Sequence, residues 1–131
     1  MAATRPRPLS PHLTIWRWGP GMAASIIHRV TGVGLSILGL ALLTWWLTAI
    51  VSGAETYGRF SKFASSWFGI VILIGLTWAF FQHLLTGMRH LGMDTGQGFE
   101  LSTSKASALL SFVGSVVLTA ALWAYILGVA K

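Results

Sequence analysis

Three long stretches of this chain carry no charged side chain, and they dictate most of what it can fold into. They run from Val30 to Ala54 between Arg29 and Glu55, from Phe63 to Met88 between Lys62 and Arg89, and from Ala106 to Ala130 between Lys105 and Lys131. Hydrocarbon offers no water to satisfy backbone N–H and C=O groups, so an apolar stretch of this length must close its hydrogen bonds within itself as a helix. About 25 residues at about 1.5 Å each cross a hydrocarbon core of about 30 Å with some tilt. The expectation is an all-α protein with three transmembrane helices, at about 26–51, 64–90 and 106–129.

Little is left outside these spans. The chain has 131 residues, of which only 9% are charged, against about 25% in soluble domains. Residues 1–131 therefore read as a single membrane domain, with a tail over 1–21 and a three-helix region over 22–131. The net charge is +6, but the basic residues are scattered and form no stripe, which argues against a nucleic-acid partner. Cysteine is absent, so disulfides, iron–sulfur ligation and thiolate zinc sites are excluded within this chain.

The tail is polar and punctuated by Pro6, Pro8, Pro11 and Pro20. No hydrophobic segment follows its basic start, as a secretory signal requires. It is expected to be retained and to lie at the membrane surface, with Trp16 and Trp18 as interfacial anchors. With the N-terminus inside, Arg5, Arg7, Arg17, Arg29, Arg89 and Lys105 are cytoplasmic, leaving Arg59, Lys62 and Lys131 outside. That asymmetry predicts N-inside, C-outside. Trp45, Trp46, Trp67, Phe68, Trp123 and Tyr125 then form an outer aromatic belt. Ser52–Lys62 and Gly92–Lys105 read as short connections. Ser25, Arg29, Gly32, Ser36 and Gly39 on the first helix, and Ser107, Ser111 and Ser115 on the third, form small-residue faces suited to close helix packing.

The chemistry concentrates near one boundary. His83 lies inside the second uncharged run, where an ionisable group is a functional candidate by default. At about 100° per residue His83, Gly87 and His90 share a stripe, with His83 about 10 Å deeper than His90. A glycine between two imidazoles leaves room for a flat group. A haem fits that description, with His83 on its iron and with His28, Arg29 and His90 at the boundary for its propionates. The other reading of His83 is a hydrogen-bonded structural residue. Counting from Arg29, His28 lies about 10 Å above His83, so no second imidazole is level with it and a second axial ligand would have to come from a partner subunit. Ser25 and Arg29, four residues apart, offer a hydroxyl and a guanidinium to a quinone carbonyl and its developing anion. The alternative for this pair is an N-capping serine with a snorkelling arginine. A self-contained transporter would need ionisable groups along a continuous path, and the outer halves of the three spans lack them.

Three segments carry a family resemblance: Arg7-Pro8-Leu9-Ser10-Pro11-His12-Leu13, Ser25-Ile26-Ile27-His28-Arg29-Val30-Thr31-Gly32, and His83-Leu84-Leu85-Thr86-Gly87-Met88-Arg89-His90-Leu91 through Asp94. In order, spacing and helix count they resemble the cytochrome b large anchor subunit of succinate dehydrogenase. The resemblance implies a four-subunit complex in which a flavoprotein carrying FAD oxidises succinate and an iron–sulfur protein relays electrons. Two small membrane subunits then share haem b and a ubiquinone site. It implies His83 as the axial haem ligand, Ser25 and Arg29 in the ubiquinone pocket, and His28 and His90 near the propionates. It implies a bacterial inner membrane, with the N-terminus cytoplasmic and the C-terminus periplasmic. A haem-free structural anchor, or the anchor of a fumarate reductase running in reverse, are the alternatives. Where many relatives have a tyrosine before the axial histidine this chain has Gln82, so the local hydrogen bonding should differ.

Overall fold

Pro20 opens the first helix, well before residue 26. Its fixed φ suits the first helical position, and Gly19 ahead of it is extended. A computed structural model describes His12 and residues 14–129; Arg5, Arg7, the tail prolines Pro6, Pro8 and Pro11, and Lys131 lie outside the described residues. Helix α1 runs Pro20–Val51, with one π-helical turn at Leu35–Gly39. It stops at Gly53, whose φ of 98° lies in the left-handed region that glycine enters without strain. Helix α2 is Ala54–Ala64, α3 is Trp67–Asp94 and α4 is Leu101–Val129. The protein is all-α, and α1, α3 and α4 are each long and apolar enough to cross a membrane.

The expected short connection over Ser52–Lys62 is instead the amphipathic helix α2. Glu55, Arg59 and Lys62 are exposed on it, while Thr56, Phe60, Phe63 and Ala64 turn inward. The Arg59–Glu55 ion pair at 2.6 Å is open to solvent on both sides and contributes less than about 1 kcal/mol. What holds α2 is aromatic: the Trp45 ring lies 5.2 Å from Phe60 and 5.0 Å from Phe63, centroid to centroid. Between α2 and α3 the Ser66 hydroxyl accepts the Gly69 amide at 3.1 Å. A side chain on Gly69 would collide with the Phe63 carbonyl, so glycine lets the chain turn this tightly. The second connection is also shorter than expected, since α3 continues to Asp94 and α4 begins at Leu101.

Helix α3 packs against both α4 and α1. The interior is small and largely polar. Ala24, Ala49 and Ala108 are the buried apolar residues, beside buried Thr31, Gln82, Thr86, Ser111, Ser115 and Thr119. Small side chains let these backbones approach, which is how apolar helices associate where lipid is as apolar as leucine. The serine face expected on the third span does this: Ser115 donates to Gln82 Oε1 at 2.7 Å, so Gln82 joins α3 to α4. Gln82 Nε2, buried as well, has no partner among the described residues.

The face expected on α1 packs differently. Arg29 and Ser36 are exposed, whereas Ala24 and Thr31 are buried and His28 is half-buried. The contact face is centred on 24-28-31, about 100° round from 25-29, although Gly32 of the expected face still meets His83.

Candidate functional site

The site lies where α1 crosses α3, and its centre is a pair of imidazoles. His28 and His83 stack with ring centroids 3.9 Å apart and planes 9° from parallel. His90 meets His28 edge-on at 5.0 Å. The structure thus brings three of the expected residues together, at a depth the charge count did not anticipate. His28 is level with His83, not about 10 Å above it. The expected offset took Arg29 as the membrane boundary. A long arginine stem lets its Cα sit well inside that boundary, and the helix in fact starts at Pro20. The two stacked rings present the same face to one another, so they cannot be opposite axial ligands of one iron in this arrangement.

Each ring rests on a glycine of the other helix. A Cβ on Gly32 would lie 2.9 Å from Cε1 of His83, and a Cβ on Gly87 would lie 3.6 Å from Cε1 of His28. The recess at Gly87, which suggested a flat guest, therefore holds the imidazole of His28. Gly32, expected only as a packing residue, is the tighter of the two seats.

Hydrogen bonds fix the ring nitrogens. His83 Nδ1 lies 3.0 Å from the carbonyl oxygen of His28. A carbonyl only accepts, so Nδ1 carries the proton and Nε2 keeps its lone pair. His28 Nδ1 lies 2.7 Å from the hydroxyl of Thr86. The Thr86 hydroxyl itself donates to the carbonyl of Gln82 at 2.6 Å. Thr31 donates to the carbonyl of Ile27 at 2.8 Å and lies 3.4 Å from His83 Nδ1. Thr31 and Thr86 were missed in the sequence, although a signal was there. His28-Arg29-Val30-Thr31-Gly32 and His83-Leu84-Leu85-Thr86-Gly87 repeat the same H-x-x-T-G pattern. Two antiparallel copies meet, each histidine reaching the glycine and threonine of the other.

The other candidates lie outside this cluster. Ser25 is half-buried and Arg29 exposed, and neither side chain has a hydrogen-bond partner among the described residues. Ser25 is not a cap, because Gly19 holds that position. Arg89 does not pair with Asp94. Its Nε donates to Ser107 at 3.0 Å and its NH2 to Ser104 at 2.8 Å, fastening α3 to the start of α4. No group of three metal-ligating side chains occurs among the described residues. An apolar cavity of about 580 Å³ lies elsewhere, among Leu42, Trp46, Phe60, Leu73 and Phe80. Its hydroxyl, Thr77, donates to the carbonyl of Leu73 and accepts from Nε1 of Trp123.

Three spans with almost no core of their own, and paired histidines at one crossing, define a membrane-embedded helical subunit. Comparison with known proteins makes this specific. The family model for the succinate dehydrogenase/fumarate reductase transmembrane subunit matches residues 3–122. The succinate dehydrogenase cytochrome b556 subunit of Paracoccus denitrificans is 42% identical over 112 residues, covering 86% of this chain and 85% of the relative. That of Rickettsia felis is 36% identical over 117 residues, covering 89% and 90%. The human mitochondrial cytochrome b560 subunit is 33% identical over 115 residues, covering 85% and 66%. This chain belongs to the family of succinate dehydrogenase cytochrome b membrane-anchor subunits.

Proposed function

We propose that this chain holds half of a haem b site and part of the ubiquinone-reduction site in a succinate:ubiquinone oxidoreductase. One observation carries the reading. The carbonyl of His28 holds the Nδ1–H of His83 at 3.0 Å, the same orientation that metal-ligating histidines take when their second nitrogen is hydrogen-bonded to backbone. Nε2 is thereby left with its lone pair free for a metal, among apolar helices that suit a porphyrin, and the donor set fits a haem. When bound, haem supplies a one-electron carrier close to the quinone site.

Within this chain His83 would bind the iron through Nε2, and His28, Arg29 and His90 would meet the propionates. Thr86 engages Nδ1 of His28, so His28 would meet a carboxylate through Nε2–H, as the imidazolium. The second axial ligand would come from a second small anchor subunit, seated on the apolar surface that α1, α3 and α4 leave uncovered. Electrons arrive from an iron–sulfur subunit fed by a flavoprotein, and no covalent step falls to this chain. Ser25 donates a hydrogen bond to a quinone carbonyl, and the guanidinium of Arg29 stabilises the negative charge that builds there during reduction. Arg29 is exposed on its helix, open to a quinone arriving sideways from lipid. The membrane is the bacterial inner membrane, with the tail and the histidine end on the cytoplasmic side.

Arg29→Ala tests the quinone assignment. The complex should assemble and oxidise succinate with a soluble artificial acceptor at the wild-type rate. Its ubiquinone reductase kcat should fall about 10²-fold or more, the scale seen on removing a donor to a developing oxyanion. Equal activity with both acceptors would remove Arg29 from the site. A second reading, a haem-free anchor, draws on the same stack: His28 and His83 already satisfy one another through Gly32, Gly87 and Thr86.

A further inference from the structure

The two H-x-x-T-G segments meet almost as mirror partners, but their hydrogen bonds are not equivalent. His83 Nδ1 faces the carbonyl of residue 28 at 3.0 Å, with Thr31 standing off at 3.4 Å. His28 Nδ1 faces a hydroxyl alone, that of Thr86 at 2.7 Å. A hydroxyl either donates or accepts, so the direction of this bond must be decided from its surroundings. Thr86 has one proton and is completely buried. Its oxygen lies 2.6 Å from the carbonyl of Gln82 and 3.2 Å from that of His83. If the proton pointed at His28, the hydroxyl lone pairs would face a carbonyl oxygen at hydrogen-bond distance with nothing between them. The proton therefore goes to Gln82, and Thr86 accepts from Nδ1–H of His28.

We propose that Thr86 is a positioning residue for the axial histidine, acting through His28. It fixes the proton of His28 on Nδ1 and the rotation of its ring. His28, stacked at 3.9 Å on His83, then fixes the plane of the His83 ring, whose other edge is closed by Gly32. The carbonyl of His28 sets where the proton of His83 sits, and the ring of His28 sets the angle at which Nε2 is presented. Valine has nearly the shape of threonine but cannot accept a proton, so Thr86→Val removes the bond with little change in volume. The freed His28 ring turns, and the His83 plane relaxes with it.

This inference rests on His83 being the haem ligand, and the experiment separates the two claims. The assembled complex is purified with Thr86→Val, Thr86→Ser and His83→Ala, and each is read by haem content, by the electron paramagnetic resonance of the oxidised haem, and by ¹⁵N resonances of labelled histidine. The low-spin ferric signal responds to the orientation of the axial ring planes, which packing stability alone does not set. Thr86→Val should keep its haem with a shifted and broadened low-spin signal, and should shift the ¹⁵N resonance of His28 Nδ1, which loses its hydrogen bond. Thr86→Ser, which keeps the hydroxyl, should match wild type in both readouts. Loss of haem in Thr86→Val but not Thr86→Ser also supports the proposal, because only the hydroxyl differs in kind. A Thr86→Val low-spin signal and His28 Nδ1 resonance identical to wild type overturn it, as does equal disturbance in both variants. Haem retained with an unchanged spectrum in His83→Ala overturns the ligand assignment instead.

Discussion

His83→Ala should yield a complex that assembles with its flavin and iron–sulfur partners but carries almost no haem. On the proposed reading His83 supplies the ligating nitrogen, and neither water nor a neighbouring side chain would replace an imidazole held by the His28 carbonyl. Removing even the hydrogen-bond partner of a metal-bound histidine lowers metal affinity about 10–100-fold, so deleting the ring itself should exceed that. Assembly should survive because the helix contacts lie mostly elsewhere, in the seam of Ser115 and Gln82 and the Arg89 bonds to Ser104 and Ser107. The haem-to-flavin ratio of the purified complex measures this directly. A normal ratio would mean that some other residue ligates the iron.

Gly32→Ala should damage the histidine pair although it removes no polar group. Its new methyl would stand 2.9 Å from Cε1 of His83, inside contact distance. The ring cannot simply swing aside, since it is held at Nδ1 by the His28 carbonyl and stacked on the His28 ring. Either α1 and α3 separate or the imidazole leaves its seat. Overpacking of this kind costs about 1–3 kcal/mol, here concentrated on the imidazole of His83. The expected result is reduced haem content and a lower thermal midpoint for the complex. Gly87→Ala is the control. Its methyl would meet His28 at 3.6 Å, an ordinary contact, and alanine is favoured over glycine in a helix by about 1 kcal/mol. It should be close to silent in both measurements. If the two variants behave alike, the Gly32 seat does not constrain the ligand.

The contrast between these glycines marks where the sequence could be read and where it could not. The three spans were legible because charge-free length is a one-dimensional property, and the resemblance carried by the Ser25–Gly32 and His83–Asp94 segments pointed to the family that the comparisons then established. Helix α2 was not legible as a helix. Its Glu55, Arg59 and Lys62 look like loop charges, and only the contact of Trp45 with Phe60 and Phe63 shows that its other face is occupied.

The depth of His28 failed for a related reason. Arg29 was taken as the boundary, whereas the position of His28 is set by where α1 starts and how α1 crosses α3. At helical rise His28 is about 12 Å from Pro20, more than two turns inside α1. Gly87 looked significant because it interrupts a histidine stripe on its own helix. Gly32 matters because of a ring on another helix, and no local pattern contains that fact. The repeated H-x-x-T-G does contain a trace of it, as two copies of one seat.

In the proposed function, Nε2 of His83 binds the iron of a haem completed by a second subunit. The most direct test is the haem-to-flavin ratio and the oxidised-haem spectrum of the wild-type complex, purified through a tag on this chain. The prediction is one haem per flavin in a low-spin, six-coordinate state, with that state absent when this chain is purified without its second anchor. A fully assembled, quinone-reducing complex that contains no haem would contradict it, and so would a six-coordinate haem formed by this chain alone.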